Sequence, residues 1–245
     1  MNSLILCEGK SDAIIISYYL QRKCGFVRCE KSPYESLDFK KLQDNQYVSW
    51  YKAGKDFLMI FAVGGKDNFK YVLDKYILEI IKEYPRNESF QKIAIIGDND
   101  NAKNVIEEQK EWFQGIIKNI FENQWAKNSF INSFGVKTNV QILSLLIPPD
   151  KHGALENVLL DAISEDENDK IIVEKSKGFV ERIRNDAQKY ILNDRLALKA
   201  KLSTVFAVMS PEKTFHLLDE IMQSVKWEKY QTVEECFSEM CKIKR

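Results

Sequence analysis

The chain has 245 residues, 44% of them hydrophobic and 29% charged, long enough for one large α/β domain or a core of about 150 residues with a helical appendage. Its 36 basic and 36 acidic residues balance, so a nucleic-acid partner would have to be held by local charge, not by a net field. No run approaches the ~18 apolar residues of a membrane span, and the start "MNSLILCEGKSD" turns polar too soon for a signal peptide; the expected location is the cytoplasm, with no membrane partner.

Taken in chain order, residues 3–8, "SLILCE", form a short apolar strand. The turn that follows leads into "DAIIISYYLQRKC", with Ser11 as the expected helix N-cap. The stretch 25–56 is too long for an ordinary connection and is expected to carry structure of its own, such as a hairpin. A second buried strand, "FLMIFAVGG", ends in Gly64 and Gly65. After it the apolar stripe Phe69, Val72, Leu73, Tyr76, Ile77, Ile80 and Ile81 predicts an amphipathic helix. "QKIAIIGD" is a third strand, a helix is expected over 105–125, and two further strands over 130–136 and 140–147. From residue 154 onward the pattern is helical. Alternating apolar strands and helices point to an α/β fold with a largely parallel central sheet, divided into a core over 1–150, with its insertion at about 25–56, and a helical region over 151–245 packed on that core. The five cysteines, Cys7, Cys24, Cys29, Cys236 and Cys241, are an odd number without CxxC spacing, and reduced core thiols are expected.

In a parallel α/β sheet the strand C-termini open onto one edge, where ligands bind. Glu8, the Gly64–Gly65 pair, and Asp98 with Asp100 all stand at such ends. Two carboxylates ~4 Å apart repel by about 4 kcal/mol at an effective dielectric of about 20, unless a proton or cation intervenes. Oxygen ligands without a histidine or cysteine nearby select Mg²⁺ or Mn²⁺ over zinc. Each acidic residue also has a plainer reading. Asp98 or Asp100 alone could cap a helix, while Asp12 and Glu156 could serve helix dipoles. His152 and His216 read as surface or packing residues. Between residues 169 and 201 nine Lys or Arg face five Asp or Glu, which suits either a solvated helix face or contacts to phosphates.

Three segments, in order, resemble the TOPRIM (topoisomerase–primase) family. "LILCEGKSDAIII" matches a strand ending in Glu-Gly-x-x-Asp (Glu8, Gly9, Asp12), "AVGGKDN" the glycine-ended second strand, and "IIGDND" the Asp-x-Asp motif of Asp98 and Asp100. "GALENVLLDAI" further resembles bacterial TOPRIM-like proteins akin to the nuclease domain of the OLD (overcoming lysogenization defect) family. The resemblance implies a Rossmann-like TOPRIM core and Mg²⁺-dependent (or Mn²⁺-dependent) hydrolysis of phosphodiester bonds in DNA or RNA, with a place in phage defence or nucleic-acid repair. It implies that Glu8, Asp98, Asp100 and Glu156 hold metal, with Glu8 alternatively a general acid/base. Asp12 would support them, and Lys199 or Lys201 would be a lysine near the site. The sequence departs from topoisomerases and primases in continuing Asp-x-Asp as "DNDNAK", without their downstream glycine, and in lacking a zinc ribbon and a further domain with a transesterifying tyrosine, which argues against strand passage and primer synthesis. A non-catalytic or partner-activated TOPRIM-fold module is the alternative, and a homo-oligomeric or partner-bound state stays open. An aspartyl phosphotransferase ranks last, because its Asp-x-Asp belongs on the opening strand, where this chain has Glu8.

Overall fold

A computed structural model describes residues 1–39, 42–99, 105–187, 189–213 and 218–244. Its centre is a seven-stranded mixed sheet, β1 (Asn2–Cys7), β2 (Val27–Cys29), β3 (Tyr47–Ala53), β4 (Asp56–Ala62), β5 (Phe90–Asp98), β6 (Trp125–Ile131) and β7 (Lys137–Ile147), in the spatial order β2-β3-β4-β1-β5-β7-β6. The inner strands β4, β1, β5 and β7 run parallel, while β2, β3 and β6 join antiparallel at the edges. The sheet is therefore mixed, not largely parallel. The 25–56 insertion supplies the β2–β3 edge, and a tight turn at Gly54 (φ 61°) returns β3 onto β4.

Continuous apolar strands arise here because the central strands are covered on both faces. Along β1, Ile5 and Cys7 point to one core and Leu4 and Leu6 to the other; along β5, Ala94 and Ile96 oppose Ile93 and Ile95 in the same way. The second core is closed by the helical run α2 (Phe69–Val72), a π-turn over Leu73–Ile77 and α3 (Leu78–Glu83), together with Trp112 of α4 (Val105–Trp112). The predicted stripe of Val72, Leu73, Ile77, Ile80 and Ile81 lies in that core.

The first core is covered by α1 (Lys10–Cys24), α5 (Leu155–Ile163), α6 (Glu167–Asp186), α7 (Asp194–Met209), α8 (Leu218–Ser224) and α9 (Gln231–Phe237). Residues beyond 150 thus share one hydrophobic cluster with β1 and α1. The Ser3 hydroxyl donates to the Ile243 carbonyl at 3.1 Å, and the Trp125 indole donates to the Glu239 carbonyl at 2.9 Å.

Several expectations change. Helix α4 ends at Trp112, because Gln114 (φ 52°) and Gly115 (φ 78°) take left-handed conformations that a helix cannot continue through. Strand β6 begins at Trp125, and residues 132–136 form the turn to β7, with Asn132 Oδ1 accepting the N–H groups of Phe134 and Val136. The cap of α1 is Gly9, not Ser11. Cys24 and Cys241, 217 residues apart, are joined in a disulfide, and Cys7, Cys29 and Cys236 are free. No sequence spacing announces that pair, since it forms only once the C-terminal turns pack on the end of α1. No helix among the described residues is long and apolar enough to cross a membrane.

Candidate active site

β1 is in register with Ala62 and Ile96 at Cys7, so Glu8 emerges between the ends of β4 and β5. Its backbone is moored first. The Gly64 and Gly65 N–H groups donate to the Glu8 carbonyl at 3.0 and 2.9 Å. Both glycines have positive φ, 86° and 126°, and a Cβ on Gly64 would stand 3.1 Å from the Cβ and carbonyl oxygen of Asn45. The glycine pair is thus a requirement of the turn. The Glu8 side chain, only 7% exposed, accepts from the Asp98 N–H at 3.3 Å through Oε1. Its Oε2 lies 3.4 Å from the Arg195 guanidinium, which reaches in from α7.

Asp12, in the first turn of α1, accepts from the Gly9 N–H at 2.7 Å, which satisfies a free donor of the helix start. Burial pushes its carboxyl from 3.8 up to about 7; the Gly9 bond and Lys199 oppose the rise, while Glu8 and Glu156 add to it. Asp98 closes β5 opposite Ile147 of β7, and its Oδ1 accepts from the Leu155 N–H, at the start of α5, at 3.3 Å. Burial, then Glu8, Asp12 and Glu156, push Asp98 up to about 7 as well, against the Leu155 bond. Glu156 follows in the first turn of α5. Arg195 is disfavoured by burial, but Glu8, Asp98 and Glu156 outweigh that and raise its pKa further.

These groups line one cleft of about 600 Å³: Glu8, Asp12, Asp98 and Glu156 with Arg195 and Lys199, and the 44–47 segment opposite. The cleft therefore draws on both halves of the chain. Of the two candidate lysines, Lys199 lines it, whereas Lys201 pairs with Glu181 at 2.5 Å. Asp100 and His216 lie outside the described residues, and His152 is exposed on a loop. Much of the basic 169–201 run is a solvated face, with Lys170 paired to Glu167 and Arg184 to Asp194.

Sequence reasoning missed Arg195, Gln46 and Asn99. Arg195 and Lys199 are four apart at the start of α7, the spacing that puts two cations on one helix face, and that spacing was the available signal. Gln46 is buried; its Oε1 accepts from the Gln43 N–H, and its Nε2 has no partner at the cleft wall. Asn99 ties down the loop after β7. Its N–H donates to Ile147, its side-chain amide donates to Pro148 at 2.9 Å, and its carbonyl accepts from the Gly153 N–H.

Chemically, four carboxylates with no thiol or imidazole among them match a hard divalent cation, and the raised Asp12 and Asp98 are groups whose mutual repulsion such an ion would relieve. Among the described residues no three acidic, histidine or cysteine side chains already stand at ion-holding distances, and Asp100 is not part of that set.

A family model described as "Protein of unknown function (DUF3226)" matches residues 2–240. No curated protein matches the chain. Among solved structures, the chain is similar to the crystal structure of hypothetical protein PH0156 from Pyrococcus horikoshii OT3, with 19% identity, coverage of 90% of this chain and 95% of that one, and a TM-score of 0.49.

Proposed function

The chain belongs to the DUF3226 family of proteins of unknown function, and from its cleft we propose that it is a Mg²⁺-dependent (or Mn²⁺-dependent) nuclease of TOPRIM type, related to the OLD-family nuclease domain. The observation that carries this reading is the meeting of Glu8, Asp12, Asp98 and Glu156 at the C-terminal ends of parallel strands, beside Arg195 and Lys199. The order of the Glu-Gly-x-x-Asp, glycine-pair and Asp-x-Asp segments supports it from the sequence side.

In this reading Glu8, Asp98 and Glu156, with Asp100, hold the metal. A divalent ion bound there supplies Lewis acidity at the scissile phosphate and lowers the pKa of water. The chain's own groups do the rest. Arg195 and Lys199 face the cleft as counter-charges for a phosphate. Glu8 serves as a further ligand or as the general acid/base, and Asp12 positions the start of α1. Because Asp12 and Asp98 change protonation near neutrality, proton transfer and cation affinity are both pH-sensitive.

Plasmid, linear DNA and RNA incubated with purified protein and Mg²⁺ or Mn²⁺ provide the test. Cleavage by the wild type and its loss in Asp98→Ala are expected; equal inactivity of the two sinks the proposal. The Arg195–Glu8 ion pair favours a second reading, in which a cationic side chain takes the place of a metal and the module binds without cutting. Calorimetric titration with Mn²⁺ separates the two, since only the first predicts heat that disappears in Asp98→Ala.

A further inference from the structure

A second cleft, of about 470 Å³, adjoins the acidic one, and Lys10 and Tyr47 line both. One wall is a single face of α1, where Lys10, Ile14, Ser17, Tyr18, Gln21 and Arg22 recur at helical spacing. The other is the β2–β3 edge built by the insertion. Tyr47 and Tyr51, four apart on β3, share a face, and Arg28 of β2 is in register with Tyr51. The insertion thus does more than lengthen the sheet: it makes α1 one side of a trough.

The charge in the trough is one-sided. Lys10, Arg22 and Arg28 are exposed, and no carboxylate forms a salt bridge with any of them among the described residues. Their contacts are aromatic or hydroxylic instead. Lys10 Nζ sits 5.9 Å from the Tyr47 ring centre, Arg22 5.2 Å from that of Tyr18, and Arg28 donates to the Tyr47 hydroxyl at 3.3 Å. Ring faces and a hydroxyl hold the cations in place without neutralising them, which leaves their charge for a ligand. The acid acting on this wall is Glu228, which lies against the Tyr18 hydroxyl. From Lys10 to Arg22 the helix rises about 18 Å, roughly five nucleotides at the ~3.4 Å rise of one strand. That is too long for a single phosphate group and suits a polyanion lying lengthwise. Tyr18 and Tyr51 are buried, so the trough offers charge more than stacking platforms.

We propose that this trough binds the sugar–phosphate backbone of a single nucleic-acid strand, with Lys10, Arg22 and Arg28 on phosphates spaced along it, and leads it past Tyr47 into the acidic cleft. The proposal rests on the nuclease reading for the identity of the polyanion and adds how that substrate is held and from which side it enters. Recognition is by charge and spacing, without base readout, so binding is sequence-tolerant and salt-dependent.

Fluorescence anisotropy with a labelled oligothymidylate of about 20 nucleotides, in EDTA so that nothing is cut, tests it on the full chain. The double variant Arg22→Ala/Arg28→Ala should weaken binding and flatten the slope of log affinity against log salt by about 1.4, near 0.7 for each lost phosphate contact. Arg22→Lys/Arg28→Lys should keep most of both, which separates lost charge from lost packing, and thermal melts confirm that each variant is folded. No binding by the wild type, or an unchanged slope in the folded alanine variant, overturns the proposal. The two readings fail separately. Strand binding through Arg22 and Arg28 without cleavage would refute the nuclease and keep the trough, whereas Asp98-dependent cleavage with binding indifferent to these arginines would do the reverse.

Discussion

Asp98 meets three demands at once: it ends a central strand, accepts a hydrogen bond from the first turn of α5, and shares a buried crevice with Glu8, Asp12 and Glu156. The cost of that crowding is legible in pH. In the unfolded chain Asp12 and Asp98 ionise near 3.8, whereas in the fold both do so at about 7. Between those values the folded protein holds protons that the unfolded chain has released. These two groups therefore favour folding most below about pH 4, and that advantage is lost as pH rises through about 7. Thermal melts in EDTA should show it, with Asp98→Asn, which keeps an oxygen for the Leu155 N–H, more stable than wild type by on the order of 2 kcal/mol above pH 7 and level with it near pH 4. Divalent cations should raise the wild-type melting temperature and leave the variant's nearly unchanged. Gly64→Ala sets a Cβ against Asn45 at a φ of 86°; a loss of roughly 1–3 kcal/mol in denaturant unfolding is expected, along with displacement of the 44–47 wall.

Among the elements, α5 and the loop before it show how the site is assembled. Asn99 stitches residues 148–153 to the end of β5 and so aims the first turn of α5 at Asp98. Asn99→Ala removes the side-chain bond to Pro148, and about 1 kcal/mol of stability should go with it, together with weaker Mn²⁺ binding by calorimetry as the α5 start drifts. The central strands were readable from sequence because both faces of β1 and β5 are buried, which leaves an unbroken apolar run ending in an acid. The limits of α4 and β6 were not, because left-handed Gln114 and the Asn132 turn bear no mark in the apolar periodicity. At the site, the residues that end strands could be picked out by position. Arg195 pairs with Glu8 across 187 residues, and Gln46 sits in a stretch with no periodicity, so only folding brings either to the cleft.

On the scale of the whole molecule, one hydrophobic cluster runs from Ile5 and Ile15 through Leu159 and Phe206 to Trp227, Phe237 and Ile243. Trp227 is fully buried, with its indole N–H donating to Met222 at 2.6 Å and its ring against Phe206 and Tyr230. Trp227→Ala should cost about 3–5 kcal/mol in a single cooperative transition, and any Mn²⁺ heat of the proposed site should vanish at the same denaturant concentration, because α5, which carries Glu156, packs in the same cluster. The bond from Ser3 to Ile243 has a consequence for biosynthesis. Strand β1 and α1 are made long before the later helices that complete their shared core, and the partner strands β4 and β5 arrive only dozens of residues later. Until residues 155–243 are made, the core face of β1 and α1 lacks part of its cover, an exposed apolar surface of the kind that invites chaperones. Closure of that core therefore waits on the segment around Ile243, far along the chain from the strand it seals.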